Sequence, residues 1–228
     1  KGMLGQDIAE IGMMKEKGAV GFTDDGLPVA NSYLMRRAFE YAKTYDTVIA
    51  QHAEDLGLTN GGSINDGEIS QQLGLAGISN SSESAMVARD IEILRETDSR
   101  YHVLHVSTKE SMALIIRAKQ EGLNISCEVS PHHISLTDAA ILEHGADAKM
   151  NPPLRSNEDR EFLIQALKDG YVDAIATDHA PHEASSKKLP VDKAPFGIVG
   201  LETMLPVSME LVHQEGMDLL DVLALLTY

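Results

Sequence analysis

The feature of this sequence that most restricts its fold is a regular alternation of short apolar runs with amphipathic segments. Each run of strand length precedes a stretch of helix length, which indicates βαβ units and a parallel sheet. The runs are apolar at nearly every position, as in strands covered on both faces. The predicted strands are Ala19–Thr23, Thr47–Gln51, Tyr101–Val106, Asn124–Val129 and Val172–Thr177. The predicted helices are Gly5–Lys17, Ser32–Thr44, Glu83–Glu96, Lys109–Glu121, Asp138–His144, Asn157–Lys168, Leu201–Gln214 and Leu219–Tyr228.

Two long connections interrupt this alternation. One runs from Glu54 to about Ser82 and is rich in Gly, Asn and Ser; the other runs from Ala180 to Gly200 and contains three prolines. Both follow predicted strands, so in a parallel barrel they lie at the carboxyl edge, where active-site loops are found.

The length and the ends of the sequence predict one domain that forms part of a barrel. The chain has 228 residues, whereas a complete (β/α)₈ barrel needs about 250. Its start, before Ile8, and its end at Tyr228 both fall inside helix patterns without capping residues. We therefore expect a single catalytic barrel domain over residues 1–228, truncated at both ends.

Charge and composition exclude several classes of protein. The formal net charge is −16, and such a surface repels the phosphate backbone of nucleic acids. No apolar run reaches the length of about 18 residues that marks a membrane span. Cys127 is the single cysteine, which rules out an internal disulfide framework and predicts a cytoplasmic protein.

Four of the five predicted strands end in residues of the kind that bind metal ions. These residues are Asp24 and Asp25, His52, His105, and Asp178 and His179. One such histidine or aspartate is more often a hydrogen-bonded rim residue or a helix cap, and Asp-Asp-Gly alone is typical of a turn. Repetition at equivalent positions on separate parallel strands instead favours one site for Zn²⁺ or a similar divalent ion.

Six segments resemble the bacterial-type (long, class I) dihydroorotases of the amidohydrolase superfamily. They follow one another in the family's order along essentially the whole chain, and the fifth and sixth are the most specific. The segments are Gly-Phe-Thr-Asp-Asp-Gly (21–26), His-Ala-Glu-Asp (52–55), His-Val-Ser-Thr (105–108), Pro-His-His (131–133), Asn-Pro-Pro-Leu-Arg (151–155) and Ala-Thr-Asp-His-Ala-Pro-His (176–182).

The resemblance implies a fold and an activity. The fold would be α/β, a partial (β/α)₈ TIM barrel of the metal-dependent amidohydrolase type. The activity would be zinc-dependent, reversible hydrolysis of the cyclic amide of dihydroorotate to N-carbamoyl-aspartate, in pyrimidine biosynthesis. The complete active site would hold two zinc ions and a small-molecule substrate.

The resemblance also implies roles for individual residues. Asp25 would be the carboxylate that bridges the two metals, with Asp24 as the alternative, and His52 and His105 would be imidazole ligands. Asp178 would bind metal and act as general base and then acid. The substrate would contact Asn151, His182, Phe196 and Gly197.

For three residues the sequence leaves two interpretations open. Glu54 either hydrogen-bonds to a metal ligand or caps the loop that follows it. His132 and His133 either orient metal ligands or form a satisfied pair at the rim, and the sequence favours the second interpretation.

The sequence departs from its relatives in two respects. The His-x-His-x-Arg motif of the first barrel strand does not occur in this chain, so we expect these residues alone to be inactive. Hydantoinases and allantoinases bridge their metals with a carboxylated lysine, where this chain has an aspartate. The alternatives are such a cyclic-ureide hydrolase, or a non-catalytic scaffold for aspartate carbamoyltransferase. Association with that enzyme, or as a homodimer, stays open.

Overall fold

The structure is a computed structural model that describes residue 2 and residues 4–227. Lys1, Met3 and Tyr228 lie outside the described residues, so the predicted last helix is compared only as far as Thr227. Within the described part of the chain, no helix is both long enough and apolar enough to cross a membrane.

Five parallel strands form the main sheet. The strands of the chain are, in order, β1 (Gly21–Thr23), β2 (Val48–Gln51), β3 (Ile64–Asn65), β4 (Gly77–Ile78), β5 (Arg100–Val103), β6 (Ile125–Val129) and β7 (Ala174–Ile175). The main sheet has the order β1-β2-β5-β6-β7, and each neighbouring pair is parallel. The short strands β3 and β4 pair with each other.

Helices connect the strands of the main sheet, as the alternation in the sequence predicts. Their bounds are α1 (Ile11–Glu16), α2 (Ser32–Thr44), α3 (Leu56–Thr59), α4 (Glu68–Leu73), α5 (Ser81–Thr97), α6 (Lys109–Gln120), α7 (Pro131–Ser135), α8 (Ala140–His144), α9 (Asn157–Lys168), α10 (Ala184–Lys187), α11 (Met204–His213) and α12 (Leu219–Thr227), with a 3₁₀ turn at Gly145–Ala148. Several begin at a side-chain cap that accepts a backbone N–H, as Asn31, Thr108 and Ser156 do for α2, α6 and α9.

The five predicted strands and eight predicted helices all occur at their predicted places; α2 and α9 have the predicted bounds, and the ends of most other elements are shifted. The first helix starts at Ile11 rather than Gly5, and the last strand of the sheet contains only Ala174–Ile175. The connection 54–82 contains α3, β3, α4 and β4, which the sequence did not predict. These elements are two to six residues long, too short for a hydrophobic period to be recognised.

The core lies between the sheet and the helices that cover it. Phe39 of α2 and Tyr101 of β5 are fully buried, with ring centroids 5.4 Å apart. Burying a side chain of this size stabilises the fold by about 1.5–3 kcal/mol. A second, smaller cluster packs the connection 54–82 against residues 141–154. Its members Met150 and Leu154 flank Asn151, so that the cluster fixes the backbone on both sides of this residue.

Candidate metal centre and active site

The carboxyl ends of the parallel strands place the predicted ligands at one edge of the sheet. His52 directly follows β2, whereas Asp25, His105 and Asp178 lie two or three residues beyond the ends of β1, β5 and β7. His105 and Asp178 have left-handed backbones, with φ of 32° and 45°. Such conformations cost about 1–3 kcal/mol outside glycine and concentrate at functional sites.

Asp25, His52 and His105 form a compact group of metal-ligand atoms. One such atom from each residue lies within 4.8 Å of the others. His52 Nδ1 and His105 Nε2 are 3.0 Å apart, and Asp25 Oδ1 lies 3.7 Å from the first and 3.4 Å from the second. The two imidazoles are buried, whereas about half of the Asp25 side chain is exposed, at 51%.

The donor set of this group fits a divalent metal ion. His52 Nε2 is hydrogen-bonded to a carboxylate at 2.9 Å, so its proton belongs on Nε2 and the Nδ1 lone pair faces the group. His105 Nδ1 is buried and has no hydrogen-bond partner among the described residues, so the polar contacts described for this ring are those of Nε2, with His52 and Asp25. Two imidazole nitrogens and a carboxylate are ligands typical of zinc and similar ions.

The charges of the group are mutually dependent. The hydrogen bond with His105 is the largest influence on the pKa of Asp25 and lowers it. Burial acts most strongly on the pKa of His105 and lowers it, but the carboxylates of Asp25 and Asp178 outweigh burial and raise it. Without a metal, the carboxylates therefore favour a proton where a cation would bind.

Asp24 has a different role from Asp25. Its Oδ1 accepts a hydrogen bond from the backbone N–H of His52 at 3.1 Å, and its Oδ2 accepts one from Val29 at 2.8 Å. Burial raises its pKa despite these bonds. Asp24 thus ties the loop after β1 to the end of β2, and Asp25 is the aspartate whose carboxylate lies with the histidines.

Glu54 and Asn151 lie on the far side of His52 from the metal group. Glu54 Oε2 bonds to His52 Nε2 at 2.9 Å and accepts from Asn151 Nδ2 at 3.0 Å, while Glu54 Oε1 accepts from Thr59 at 2.7 Å. Burial, the largest influence, raises the Glu54 pKa, but these hydrogen bonds together outweigh it and bring the pKa to about 2. Of the two interpretations of Glu54, the structure supports a hydrogen bond to the predicted ligand.

Asp178 is not a member of the compact group but lies near it. Burial raises its pKa, the positive charge of His105 lowers it, and the negative charge of Asp25 raises it. His179, the next residue, instead accepts hydrogen bonds on Nδ1 from the backbone of Gly200 and Leu201, at 3.0 and 3.3 Å. His179 therefore fastens the connection 180–200 to the end of β7.

The predicted substrate residues His182, Phe196 and Gly197 meet within the connection 180–200. His182 Nε2 donates to the Phe196 carbonyl at 2.6 Å. Gly197 has φ +137°, and a Cβ there would lie 2.6 Å from the Ala180 carbonyl oxygen, so only glycine fits. The Gly197 N–H donates to the Lys149 carbonyl at 2.9 Å, which joins this connection to the segment that carries Asn151.

His132 and His133 are held by protein atoms. His133 bonds to Ser130 Oγ at 2.8 Å and to the Pro152 carbonyl at 3.0 Å, and burial lowers its pKa to about 3. His132 Nε2 bonds to the Val199 carbonyl at 3.0 Å. His133 therefore fits the predicted satisfied pair, whereas His132 Nδ1 is buried without a hydrogen-bond partner among the described residues. The described contacts of the two histidines include no direct hydrogen bond to Asp25, His52 or His105.

Sequence reasoning missed Glu83, which supports the turn after His105. This buried carboxylate accepts hydrogen bonds from the backbone N–H and hydroxyl groups of both Ser107 and Thr108. Arg155, also buried, donates to Ser107 Oγ at 3.1 Å. The sequence signal for this role was the position of Glu83 on the inner face of a predicted helix. A carboxylate buried there needs hydrogen-bond partners.

Comparisons with known proteins find similar sequences. Residues 2–111 match the family described as dihydro-orotase-like. A dihydroorotase of Anaplasma phagocytophilum (strain HZ) is 56% identical over 222 residues, which are 97% of this chain and 50% of the relative. A dihydroorotase of Wolbachia sp. subsp. Drosophila simulans (strain wRi) is 57% identical over 226 residues, 99% of this chain and 51% of the relative. The chain thus spans about half the length of the curated relatives it matches.

Similarity to a solved structure identifies the fold. The L-hydantoinase (dihydropyrimidinase) from Arthrobacter aurescens superimposes with a TM-score of 0.83 and 27% sequence identity, over 95% of this chain and 51% of that one. The parallel sheet with its connecting helices is therefore part of a TIM barrel of the amidohydrolase type, as the sequence predicts. Together with the sequence matches, this shows that the chain is similar to about half of a dihydroorotase, and that its residues 2–111 match the dihydro-orotase-like family.

Proposed function

We propose that this chain is the metal-binding part of a dihydroorotase, which hydrolyses dihydroorotate reversibly to N-carbamoyl-aspartate in pyrimidine biosynthesis in the cytoplasm. The observation that carries the proposal is the convergence of Asp25, His52 and His105, in a chain more than half identical to dihydroorotases. The substrate, the zinc ions and their number are part of the proposal.

Different residues of the chain would bind the metal ions and transfer the proton in this reaction. Asp25, His52 and His105 would hold one metal ion, and Asp25 and Asp178 would contribute to a second. A bound divalent ion makes water acidic enough to ionise near neutral pH and polarises a carbonyl oxygen. Asp178 would accept the proton of the attacking water and return it to the leaving amide nitrogen, a role for which a raised pKa is suitable.

The loops would select and orient the substrate. Asn151 is held against Glu54, and His182 is held against the Phe196 carbonyl, so both side chains have fixed positions at the carboxyl edge. Dihydroorotate carries a carboxylate and a cyclic amide, which hydrogen-bond donors and backbone groups of this kind recognise. The acidic chain would depend on the metals for local positive charge.

Hydrolysis of another cyclic ureide is the second candidate, because the chain resembles an L-hydantoinase in structure. Steady-state assays of the full-length protein on dihydroorotate, hydantoin and allantoin separate the two. We expect turnover of dihydroorotate alone. Turnover of hydantoin or allantoin without dihydroorotate would contradict the proposal and favour the second candidate.

The Asp178→Asn variant tests the assigned proton transfer. We expect kcat to fall by about 10²–10⁴-fold, since the amide cannot accept the proton. Asp169→Asn is the matched control, because Asp169 is exposed at the end of α9. Equal kcat values for the Asp178 variant and the wild type would refute the role of Asp178.

A further inference from the structure

We propose that Glu54 is a positioning residue that fixes two parts of the active site at once, the predicted ligand His52 and the predicted substrate contact Asn151. The inference deepens the proposed function and rests on it. Its observation is that one oxygen, Glu54 Oε2, lies 2.9 Å from His52 Nε2 and 3.0 Å from Asn151 Nδ2.

The side chains of His52, Asn151 and Thr59 are all placed to donate hydrogen bonds to the Glu54 carboxylate. His52 Nε2 and Asn151 Nδ2 are 3.3 Å apart, and both point at the same carboxylate oxygen. An amide nitrogen only donates, so this shared oxygen satisfies both groups when the imidazole proton is on Nε2. The tautomer with Nε2–H leaves the Nδ1 lone pair facing Asp25 and His105. Glu54 thereby sets the tautomer of His52 that can bind a metal.

The same bond orients the Asn151 amide. Because the amide group is planar, fixing Nδ2 against Glu54 turns Oδ1 to the opposite side. Ninety-seven residues separate Glu54 from Asn151 along the chain, and the contact between them joins the end of β2 to the segment before α9. A change at Glu54 should therefore affect both metal affinity and substrate affinity.

Capping of the adjacent helix does not account for Glu54. Asp55 caps α3, with its side chain accepting hydrogen bonds from Gly57 and Leu58. The Glu54 carboxylate is 9% exposed, and a buried carboxylate without such partners would be destabilising. Its contacts with His52, Thr59 and Asn151 are the ones that compensate its burial.

The test compares Glu54→Ala with Glu54→Gln. Zinc affinity is measured on the 228-residue chain by competition with a chromophoric chelator, and KM and kcat are measured on the full-length protein with dihydroorotate. We expect Glu54→Ala to lower zinc affinity by about 10–100-fold, the usual range for the loss of a group that orients a metal ligand, and to raise KM. Glu54→Gln should restore most of both, because its amide oxygen can accept from His52 and Asn151 while its NH₂ faces the Thr59 hydroxyl.

Two further measurements separate positioning from a general loss of structure. The tautomer of His52, read from its ¹⁵N shifts in the metal-free chain, should be Nε2–H in the wild type and Glu54→Gln and mixed in Glu54→Ala. The effects of Glu54→Ala and Asn151→Ala on KM should be less than additive, because each removes the same contact. If Glu54→Ala does not fold, Glu54→Met fills the space without an acceptor and should show the same losses.

Asp55→Asn is the matched control, since it changes a carboxylate in the same turn and asparagine caps helices equally well. It should leave zinc affinity and KM unchanged. Wild-type zinc affinity and KM in Glu54→Ala, together with turnover by the wild type, would overturn this inference and leave the proposed function intact. Absence of dihydroorotate turnover by the wild-type protein would overturn the proposed function, whatever the zinc measurements give.

Discussion

Two pairs of buried histidines lie at the carboxyl edge of the same sheet, and their surroundings differ. In the pair His52 and His105, ring nitrogens face each other at 3.0 Å, beside the carboxylate of Asp25. In the pair His132 and His133, ring nitrogens bond to Ser130 and to the carbonyls of Pro152 and Val199. In the first pair, two ring nitrogens face a common point beside a carboxylate, whereas three of the four ring nitrogens of the second pair bond to other protein groups and His132 Nδ1 has no partner among the described residues. Burial alone therefore does not identify a metal ligand; the convergence of ring nitrogens with a carboxylate does.

Removal of a histidine from the first pair should give the largest effect. A structural zinc site contributes about 10–16 kcal/mol through four ligands, so loss of the His105 imidazole should cost about 2.5–4 kcal/mol, or roughly 60–800-fold in affinity. Calorimetric zinc titration of His105→Ala against the wild-type chain measures this loss. His133→Ala is the control and should bind zinc like the wild type. Equal losses in the two variants would remove the distinction between the pairs.

The second pair should matter for stability instead. His133→Ala leaves the buried Pro152 carbonyl without its partner and removes one of the two bonds of the Ser130 hydroxyl, which keeps the backbone N–H of residue 133. We expect the free energy of unfolding to fall by about 2–3 kcal/mol, from an unsatisfied polar group and a cavity. Urea denaturation of the metal-free chain measures it. A loss below about 0.5 kcal/mol, the range of ordinary surface substitutions, would show that His133 is not a structural residue.

The sequence predicted where the site lies better than it predicted which side-chain atoms contact each other there. Ligand-type residues at successive strand ends predicted that Asp25, His52 and His105 converge, because parallel strands put their carboxyl ends on one edge. Which ring nitrogen faces which partner depends on side-chain rotamers and on segments far away in the sequence. The contact between Glu54 and Asn151 is such a case.

The secondary structure shows the same difference between features that the sequence predicts and features that it does not. Long periodic segments such as α2 (Ser32–Thr44) were predicted with their ends, since Asn31 supplies a recognisable cap. The short elements between residues 54 and 82 were not predicted, because a cluster with residues 141–154 stabilises them rather than their own periodicity. The role of Glu83 was missed for a related reason, since its partners Ser107 and Thr108 lie in another loop.

The pH dependence of stability should also separate the pairs. The pKa of His133 is about 3 in the folded chain and about 6.5 when unfolded. Between these values the unfolded state binds the proton and the folded state does not. The contribution of neutral His133 to the unfolding free energy is therefore complete above pH 6.5 and is lost as the pH falls towards 3. The difference in unfolding free energy between wild type and His133→Gln should shrink by about 1.4 kcal/mol per pH unit. A flat difference between pH 6 and pH 4, measured by urea denaturation, would contradict the buried neutral state of His133.

The smallest effect should come from His132, which lies between the site and the connection 180–200. Its Nε2 bonds to the Val199 carbonyl, and a Cβ on Gly200 would lie 3.1 Å from its ring, so the histidine supports the loop that continues from Phe196 and Gly197. His132→Gln keeps a donor for Val199, and one altered hydrogen bond is worth about 0.5–1.5 kcal/mol. We expect KM for dihydroorotate in the full-length protein to rise by less than about 10-fold, with zinc affinity unchanged. A fall in zinc affinity as large as that of His105→Ala would place His132 with the first pair, and the division between binding and structural histidines would then run between His132 and His133.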